Sequence, residues 1–527
     1  MKTLWCAVSS LILLAGNAAA QCDTGTLLPA DGQQSDSFGR AVSLWGDRAL
    51  VTSVFDDGIG ADSGSAYIFE RQGGIWSLAR KLVASDEADS DRFGHDGAIH
   101  DDTAIVATRY DQDAGYGTGA VYVFERQGGL WAETAKLVAS PMQSGAFFGQ
   151  AVDIGVDEIV VGASLEDGFI FPNKGAVHVF RLLAGVWTGT QTLFASDASA
   201  NARFGEDLAM DGGTLVVGAR SESEKAPSAG AAYVYESIGG VWTETQKLTA
   251  GDPESGALFG VYVAVSGDVI AVGAPQEDAL GTDTGAVYVF EREGSSWVQT
   301  AKLLPDTSTP SSFGFVELSG NTLLVGASRD PALGVASGAV YRFTKQAGSW
   351  IRAGKFSGDG TTDTDQFGNA ISMWGTETLI SARAAMDPNG FRTGKAYLFD
   401  TLNAVIPYGS GTQGSLGFVP TLTVRGCGAP GGMLDVDVAT AVPGSMALML
   451  FGLDQVALNA VGCTLLTFPL LPSQFSLPLD GAGSASFSGQ LPPGLVGPLT
   501  LNMQAFVVDP GGPAGFSSTA GVSLLID

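Results

Sequence analysis

The chain has 527 residues, of which 45% are hydrophobic and 16% charged, and its formal net charge is −28. That length exceeds one ordinary hydrophobic core, so we expect at least two folded units. A strongly acidic chain lacks the basic surface that nucleic acid requires, and it is repelled by anionic lipid, so both are excluded as partners. The 73 glycines fall between short apolar runs, a pattern typical of many short strands.

The first segment of the chain has the three parts of a secretory signal peptide. Lys2 gives a positive start, residues 4–14 form an apolar stretch, and Ala18-Ala19-Ala20 offers a cleavage site. We therefore assign residues 1–20 to a signal peptide and predict a protein that is secreted or held in the cell envelope. No later run approaches the roughly 18 apolar residues of a transmembrane helix, so we expect no transmembrane segment.

Export permits disulfides, so the cysteines that follow the signal peptide are of interest. Cys427 and Cys463 both lie in the C-terminal part of the chain and are the natural pair. Cys22 is then left free or bonded to another molecule, and the sequence does not decide between these alternatives.

Seven Phe-Gly pairs recur at nearly constant spacing in the first 368 residues, at steps of 55, 55, 56, 55, 54 and 54 residues. The phenylalanines of these pairs are Phe38, Phe93, Phe148, Phe204, Phe259, Phe313 and Phe367. A period of this length indicates one supersecondary unit that buries its apolar faces by stacking on copies of itself.

The fifth repeat shows that the unit is four strands. Residues 261–265 and 269–272 are short apolar runs joined by a tight turn, and the second ends in Gly273-Ala274-Pro275. A longer polar loop leads to residues 286–290, and another turn leads to residues 297–303. The third run is apolar on both faces, so the sheet must be covered on both sides, as when four-stranded blades stack around an axis.

The fourth strand carries a Trp in six repeats, followed six residues later by Leu or Phe. These tryptophans are Trp76, Trp131, Trp187, Trp242, Trp297 and Trp350. The even spacing predicts that Trp and Leu share one face, with the intervening lysines on an exposed sheet edge. The seventh repeat lacks this strand, and counting back from Phe38 places its substitute at residues 21–28. We therefore predict that the start of the mature chain closes the ring.

The order of motifs within each repeat resembles the FG-GAP repeat. Phe-Gly is followed 13 or 14 residues later by Gly-Ala-Pro or a relative, such as Gly162-Ala163-Ser164, and then by a Gly-Ala-Val-Tyr-Val-Phe stretch. The resemblance covers about residues 24–403 and implies the seven-bladed β-propeller of integrin α subunits and of many secreted bacterial proteins. It predicts an all-β chain with a propeller at residues 21–403.

The C-terminal part of the chain differs in composition from the repeats. After about Asn403 acidity falls, Gly and Pro become frequent, and seven or eight short apolar runs follow in about 120 residues. Such a pattern is typical of a small β-sandwich, which we predict for residues 404–527.

Calcium is implied by the integrin resemblance, where the turn between the first two strands often holds an Asp-rich loop. In this chain those turns are short hairpins such as Ser266-Gly267-Asp268, which lack alternating oxygen ligands, so we expect no cofactor. Aspartates also recur before the Phe-Gly pairs, and we expect them to accept bonds from nearby backbone N–H groups. Two dense acidic groups are the alternative calcium candidates: Asp86, Asp89 and Asp91, and Asp359, Asp363 and Asp365.

The loops after the Gly-Ala-Pro position are the longest and most varied of the repeat. In a propeller they emerge on the same face as the loops before each Phe-Gly, and in integrin relatives that face meets ligands. Aromatic side chains on such loops are the best anchors for a ligand. The candidate ligand-binding residues are Tyr110, Asp111, Asp113, Tyr116, Phe169, Phe171, Asp278, Asp283, Arg329 and Arg383. The alternative is that these loops are solvated connections with incidental aromatics.

An enzyme is poorly supported, because the chain has three histidines and no nucleophile elbow, H-E-x-x-H or C-x-x-C motif. His178 takes the place of the third-strand Tyr, and His95 follows a Phe-Gly pair and is a candidate for the channel wall. We expect an exported, non-catalytic, monomeric protein that binds an extracellular protein or glycan. The alternatives are a structural envelope or matrix protein and, after that, a propeller-based hydrolase or lyase.

Overall fold

The structure is a computed structural model that describes residues 23–58, 60–86, 88–167, 172–358 and 361–400, together with ten strands between residues 406 and 526. Every regular element in these parts of the chain is a β-strand. They contain no helix with the length and apolar character needed to cross a membrane. One compact unit consists of Gly25–Arg352 and Ser357–Leu398, and a second contains the strands that follow Phe399.

The described part of the repeat region contains 28 strands. In chain order they are β1 (Asp23–Leu27), β2 (Phe38–Trp45), β3 (Arg48–Ser53), β4 (Ser65–Gln72), β5 (Ile75–Leu82), β6 (Asp96–His100), β7 (Thr103–Thr108), β8 (Ala120–Gln127), β9 (Leu130–Leu137), β10 (Phe148–Ile154), β11 (Glu158–Ala163), β12 (Ala176–Leu183), β13 (Val186–Leu193) and β14 (Phe204–Asp211). They continue with β15 (Thr214–Ala219), β16 (Ala231–Ile238), β17 (Val241–Leu248), β18 (Tyr262–Ser266), β19 (Val269–Ala274), β20 (Ala286–Glu293), β21 (Ser296–Leu303), β22 (Phe313–Ser319), β23 (Thr322–Ala327), β24 (Ala339–Gln346), β25 (Ser349–Phe356), β26 (Phe367–Trp374), β27 (Glu377–Ala382) and β28 (Lys395–Asp400).

These strands form seven four-stranded sheets, which are the blades of a β-propeller. Six blades use four consecutive strands, from β2–β5 to β22–β25, with the first strand innermost and the fourth outermost. The seventh sheet has the order β1-β28-β27-β26, so its edge strand comes from the beginning of the chain. Inner strands of neighbouring blades pack side by side, and β2 packs beside β26. The prediction of an all-β, seven-bladed propeller is confirmed.

The Phe-Gly pair locks each blade to the one before it. Phe259 is fully buried against Tyr288, with ring centroids 5.4 Å apart, and its backbone forms a bridge with Gly230 of the preceding blade. A Cβ on Gly230 would lie 2.0 Å from the carbonyl oxygen of Phe259, and the φ of Gly230 is +85°. Only glycine allows that approach and that backbone conformation, so the two glycine-containing motifs of the repeat are halves of one contact.

The prediction that Trp and Leu of the fourth strand share a face is wrong. In the fifth blade Trp297 belongs to the core shared with the fourth blade, beside Leu248. Leu303 belongs instead to the core shared with the sixth blade, beside Phe313. The reason is a β-bulge in β21, where the pairing with β20 shifts by one residue and reverses the alternation of faces.

A belt of hydrogen bonds joins the inner strands across all seven seams. In each, a backbone N–H of one blade donates to a side chain on the inner strand of the blade before it. The donor and acceptor pairs are Ile99–Ser43, Val152–Asp96, Met210–Asp153, Val263–Asp207, Gly320–Ser266, Met373–Glu317 and Leu44–Ser372. The last pair joins the seventh blade to the first and so completes the ring.

The C-terminal unit is described by its backbone. Its strands are β29 (Ile406–Tyr408), β30 (Thr421–Gly426), β31 (Met433–Ala439), β32 (Met446–Ala460), β33 (Cys463–Leu470), β34 (Phe475–Pro478), β35 (Ala485–Gln490), β36 (Leu499–Val508), β37 (Phe516–Ser518) and β38 (Gly521–Ile526). Seven of them form one sheet and β30, β31 and β35 form another. The packing of these sheets as a β-sandwich stays a prediction, and so does the Cys427–Cys463 disulfide, because Cys427 lies outside the described residues.

Candidate ligand-binding face

The propeller has two ends, and the candidate residues lie at one of them. Within each blade the connection between the second and third strands leaves at the same end as the segment that precedes the next Phe-Gly pair. We call this end the loop face. In the second and third blades it includes residues 109–119, between β7 and β8, and residues 138–147, between β9 and β10.

A polar network recurs beneath the loop face. In the second blade the Tyr122 hydroxyl donates to Asp86 over 2.6 Å, and Lys136 Nζ lies 2.7 Å from oxygens of Asp86, Asp111 and Asp113. The same arrangement of Tyr, Lys and two carboxylates occurs as Tyr67, Lys81, Asp31 and Asp56; Tyr233, Lys247, Asp197 and Glu222; and Tyr288, Lys302, Asp252 and Glu277. These lysines lie on the outermost strand of each blade, as predicted, but they are half-buried in the networks, so the prediction that they are exposed is wrong.

These networks place an ammonium group among the carboxylates. Although burial alone would raise it, the Lys136 ammonium and the Tyr122 hydroxyl hold the pKa of Asp86 below its usual value. Among the described residues, the acidic side chains close enough to share one metal ion are Asp86, Asp111 and Asp113. The ammonium group of Lys136 already contacts each of these three carboxylates.

The two acidic groups predicted as calcium candidates are used in other ways. Asp91 is buried and accepts the backbone N–H of Ala88, and burial raises its pKa to about 6. Asp89 is exposed. In the other group, Asp363 accepts the N–H of Val335 and buried Asp365 accepts that of Thr362, while Asp359 lies outside the described residues. These contacts order loops in the way that aspartates at turns commonly do.

The loop face carries an aromatic cluster at the second and third blades. Tyr110 and Phe147 have ring centroids 5.2 Å apart, and Tyr116 lies 6.2 Å from Tyr110 and 6.4 Å from Phe147. Tyr116 is 61% exposed. The predicted anchors Tyr110 and Tyr116 are therefore brought together, and Phe147, which the sequence reading missed, joins them.

Two arginines pack on the aromatic cluster. The guanidinium carbons of Arg92 and Arg109 lie 4.8 and 4.9 Å from the ring centre of Tyr110. Arg92 also lies over Phe55, and Arg109 donates to Gln150 over 2.8 Å. Both arginines could have been predicted at the loop face from their positions in the repeat. Arg92 precedes a Phe-Gly pair, and Arg109 is the last residue of the triplet that replaces Gly-Ala-Pro.

A cleft of about 390 Å³ opens beside this cluster, between the seventh and first blades. It is lined by Gln34, Ser35, Ser37, Phe55, Asp57, Asp62, Arg383, Ala384 and Arg392. Phe55 lines the cleft and also lies under the guanidinium of Arg92, which in turn packs on Tyr110, so Arg92 links the cleft to the aromatic cluster. Arg383, a predicted site residue, is oriented by a 2.8 Å bond from its Nε to Gln366.

The remaining predicted residues have different surroundings. Asp111 is buried and Asp113 is exposed, and both bind Lys136. Asp278 and Asp283 form a turn in the fifth blade, where the Asp283 N–H donates to Asp278 over 2.8 Å. Arg329 is exposed in the sixth blade. Phe169 and Phe171 lie outside the described residues.

The opposite end of the propeller has its own aromatic group. The ring of Trp45 lies 3.8 Å from that of Trp374 and 3.8 Å from that of His100, measured between centroids. Trp374 is 38% exposed. These residues come from the first turns of the seventh, first and second blades, and the sequence reading did not bring them together.

The histidines near the loop face are not free in solvent. His95 is buried, and burial together with the charges of Arg40, Arg109 and Arg92 holds its pKa well below the ordinary value. His178 Nε2 lies 2.7 Å from Glu166, and its Nδ1 lies 3.3 Å from the hydroxyl of Thr192.

Comparison with known proteins identifies a family and many similar solved chains. The family model described as FG-GAP repeat matches residues 23–69, 76–124, 131–180, 187–235, 242–290, 297–343 and 350–399. No curated protein matches the chain. Among solved structures, the β-propeller domain of the Trilobed protease from Pyrococcus furiosus, described as having an open velcro topology, is similar at 9% identity over 68% of this chain and 94% of that chain, with a TM-score of 0.39.

Proposed function

Because the chain belongs to the FG-GAP repeat family, we propose that it is an exported, non-catalytic protein that binds an extracellular protein or glycan through its loop face. The proposal includes a signal peptide at residues 1–20, a propeller at residues 21–403 and a β-sandwich at residues 404–527. It also includes a monomeric chain without a bound cofactor.

The observation that carries the proposal is the exposed aromatic surface around Tyr116. Exposed aromatic side chains that form a contiguous patch often mark a binding site, and Tyr116 is 61% exposed beside Tyr110 and Phe147. Tyr116 stands on a supported base, because Tyr110 and Phe147 pack beneath it and arginines hold Tyr110. An anchor of this kind loses little conformational freedom when a ligand binds, which favours affinity.

The surroundings of His95 and His178, two of the three histidines, support a binding role over a catalytic one. A general base must reach a substrate proton, but His95 is buried and His178 is engaged by Glu166 and Thr192.

The test is binding of the full-length chain to a glycan array and to immobilised extracellular matrix proteins. We expect the Tyr116→Ser variant to lose most of the binding, because the substitution removes the exposed ring and leaves the blade strands intact. Trp374→Ser is the matched control, since it removes a partly exposed aromatic ring at the opposite end.

Retained binding by Tyr116→Ser together with loss by Trp374→Ser would move the binding site to the opposite end. A chain that binds none of these ligands but forms ordered assemblies would favour the structural envelope or matrix alternative. Turnover of a polysaccharide or ester panel would contradict the non-catalytic assignment.

A further inference from the structure

Five arginines gather at the loop-face end of the central channel. We call Arg40, Arg92, Arg109, Arg329 and Arg383 the arginine cluster. Arg40 directly follows the first Phe-Gly pair on inner strand β2, and Arg92 directly precedes the second pair. Arg109, Arg329 and Arg383 follow the ends of the second strands in the second, sixth and seventh blades. The fold therefore brings together positions that are 343 residues apart at the extremes (383 − 40).

The guanidinium groups of the cluster are close enough to repel each other. Burial and the charge of Arg40 lower the pKa of both Arg109 and Arg383, and Arg329 acts on Arg383 in the same direction. Arg92 and Arg109 share the ring of Tyr110 at 4.8 and 4.9 Å. Like charges held together at a half-buried site destabilise the free protein.

The cluster lacks the partners that other arginines of this chain have. Arg71, Arg126, Arg181 and Arg292 each form an ion pair with a carboxylate. Within the part of the chain that the structure describes, none of the five cluster arginines forms such a pair. Arg92 and Arg109 each have a buried Nε without a hydrogen-bond partner. That contrast is notable in a chain with 55 acidic and 27 basic residues.

The carboxylates whose charge acts on the cluster make their closest contacts elsewhere. The charge of Glu206 acts to raise the pKa of Arg109, but Glu206 lies 3.0 Å from Arg220 and accepts a hydrogen bond from Gln150 over 3.4 Å. Asp96 and Asp207 lie in the channel wall, where each accepts a backbone N–H of the next blade. Burial raises the pKa of Asp96, although the charge of Arg40 acts to lower it. Burial raises the pKa of Asp207 to about 8, so Asp207 adds little negative charge to the wall at neutral pH.

We propose that the arginine cluster binds the carboxylate or sulfate groups of an acidic saccharide, whose sugar rings lie along the aromatic cluster and the adjoining cleft. Guanidinium forks match these planar or tetrahedral anions and bind them more strongly where water is partly excluded. The inference rests on the proposed function, because it names the ligand class for the same loop face.

The cleft favours a saccharide over an acidic peptide. Beside Arg383 and Arg392 it presents Gln34, Ser35 and Ser37, and the two carboxylates Asp57 and Asp62. Sugar hydroxyls can donate to such carboxylates, whereas the ionised side chains of an acidic peptide only accept hydrogen bonds and cannot. Tyr116 adds an exposed ring on which the C–H face of a sugar can pack.

The test measures binding of oligogalacturonate to the full-length chain by calorimetry. We expect binding that weakens steeply as sodium chloride rises, and no binding of the fully methyl-esterified oligomer of equal length. Arg383→Gln and Arg40→Gln should each weaken binding about ten- to hundredfold, the loss expected for one charge-assisted contact. Arg80→Gln is the matched control, since it removes the same charge from an exposed position on β5.

A second measurement guards against misfolding of the variants. Removing one of several repelling cations should leave the melting temperature of the ligand-free protein unchanged or higher, while a merely structural role for Arg383 would lower it. Sodium sulfate alone, as a second probe, should raise the melting temperature of the wild type more than that of Arg383→Gln.

The failure of this inference can be told apart from failure of the proposed function. Equal binding of the esterified and acidic oligomers, with loss in Tyr116→Ser, would leave the loop face as a binding site and overturn the charge assignment. Binding of poly-glutamate in preference to oligogalacturonate would replace the saccharide by an acidic protein. Wild-type affinity in both arginine variants would overturn the inference outright.

Discussion

The third and fifth blades have the same strand pairing but different polar networks. In the fifth blade Lys302 binds Asp252 and Glu277, and the Tyr288 hydroxyl donates to Asp252. In the third blade His178 stands at the position of that tyrosine, opposite Thr192, as Tyr288 stands opposite Lys302. The loop acid remains as Glu166 and binds the histidine directly.

This difference shows that the network positions depend on each other. The third blade has Thr192 at the position of the network lysine and Pro141 at the position of the aspartate that precedes the Phe-Gly pair. It also has His178 at the position of the tyrosine. A carboxylate left without its ammonium would be an unpaired buried charge, so the positions change together. The strand register is the same in both blades, and the apolar stack of Phe148 or Phe259 is fully buried in both. The apolar core therefore determines the strand pairing of the blade, and the polar network stabilises the loops at its end.

The largest effect is expected from the feature that the two blades share. Phe148→Ala and Phe259→Ala each empty a fully buried position and should each cost about 3–5 kcal/mol of unfolding free energy. Denaturant unfolding of the two variants checks this. Unequal losses would mean that the polar network, and not the apolar stack, governs blade stability.

A second test separates the two blades. Lys302→Met leaves Asp252 and buried Glu277 without their cation and should cost about 1–3 kcal/mol. Thr192→Met at the equivalent position of the third blade removes only a weak contact to His178 and should cost less than about 0.5 kcal/mol. Equal melting temperatures for the two variants would contradict the coupling of network positions.

Asp207 in the channel wall makes protein stability fall as pH rises, which is opposite to the effect of the lysine networks. Burial raises the pKa of Asp207 to about 8, above its value in the unfolded chain. The free energy of unfolding of the wild type therefore falls as pH rises toward 8, because its carboxyl group must then ionise. The amide of the Asp207→Asn variant cannot ionise, so the free energy of unfolding of this variant should rise relative to that of the wild type between pH 5 and 9. We expect a gain of about 1–2 kcal/mol after allowance for solvent screening. Melting temperatures across this range test it. Asp211→Asn is the matched control, because Asp211 is exposed and also accepts a backbone N–H across the seam.

The smallest expected effect is the change, at acid pH, in the stability difference between the wild type and Lys302→Met. The pKa of Asp252 is lowered: burial would raise it, but the Lys302 ammonium and the Tyr288 hydroxyl dominate. Its contribution is therefore present at neutral pH and lost as pH falls through that lowered pKa. The stability difference between wild type and Lys302→Met should shrink below pH 4, by less than about 1 kcal/mol because Asp252 is half exposed. A difference that stays constant down to pH 2.5 would assign the effect of Lys302 to packing.

Part of the loop-face site could be anticipated from the sequence. Tyr110, Tyr116 and Arg383 are candidates on sequence grounds because they fall in the long loops after the Gly-Ala-Pro position. Phe147 and Arg92 were missed, since each immediately precedes a Phe-Gly pair and reads as part of the structural motif. Their contacts with Tyr110 depend on how neighbouring blades face each other, which local sequence does not record.

The outer strand shows the same limit. The spacing from Trp297 to Leu303 is even, yet the two side chains face different neighbouring blades because of one bulge. A bulge depends on the fit between twisted sheets and leaves no mark in the alternation of residue types.

The sequence by itself determined the number of blades, the strands of each blade and the family, because a repeated apolar pattern must stack on itself to be buried. Only the tertiary structure decided which charged groups meet: lysines among carboxylates under the loops, carboxyl groups across the inner seams and arginines without ion pairs at the channel mouth. The seam contacts and the arginine cluster join residues from different blades, whereas each lysine network joins strands and loops that are distant within one repeat. The energies of all these contacts depend on distances and burial that the folded structure sets.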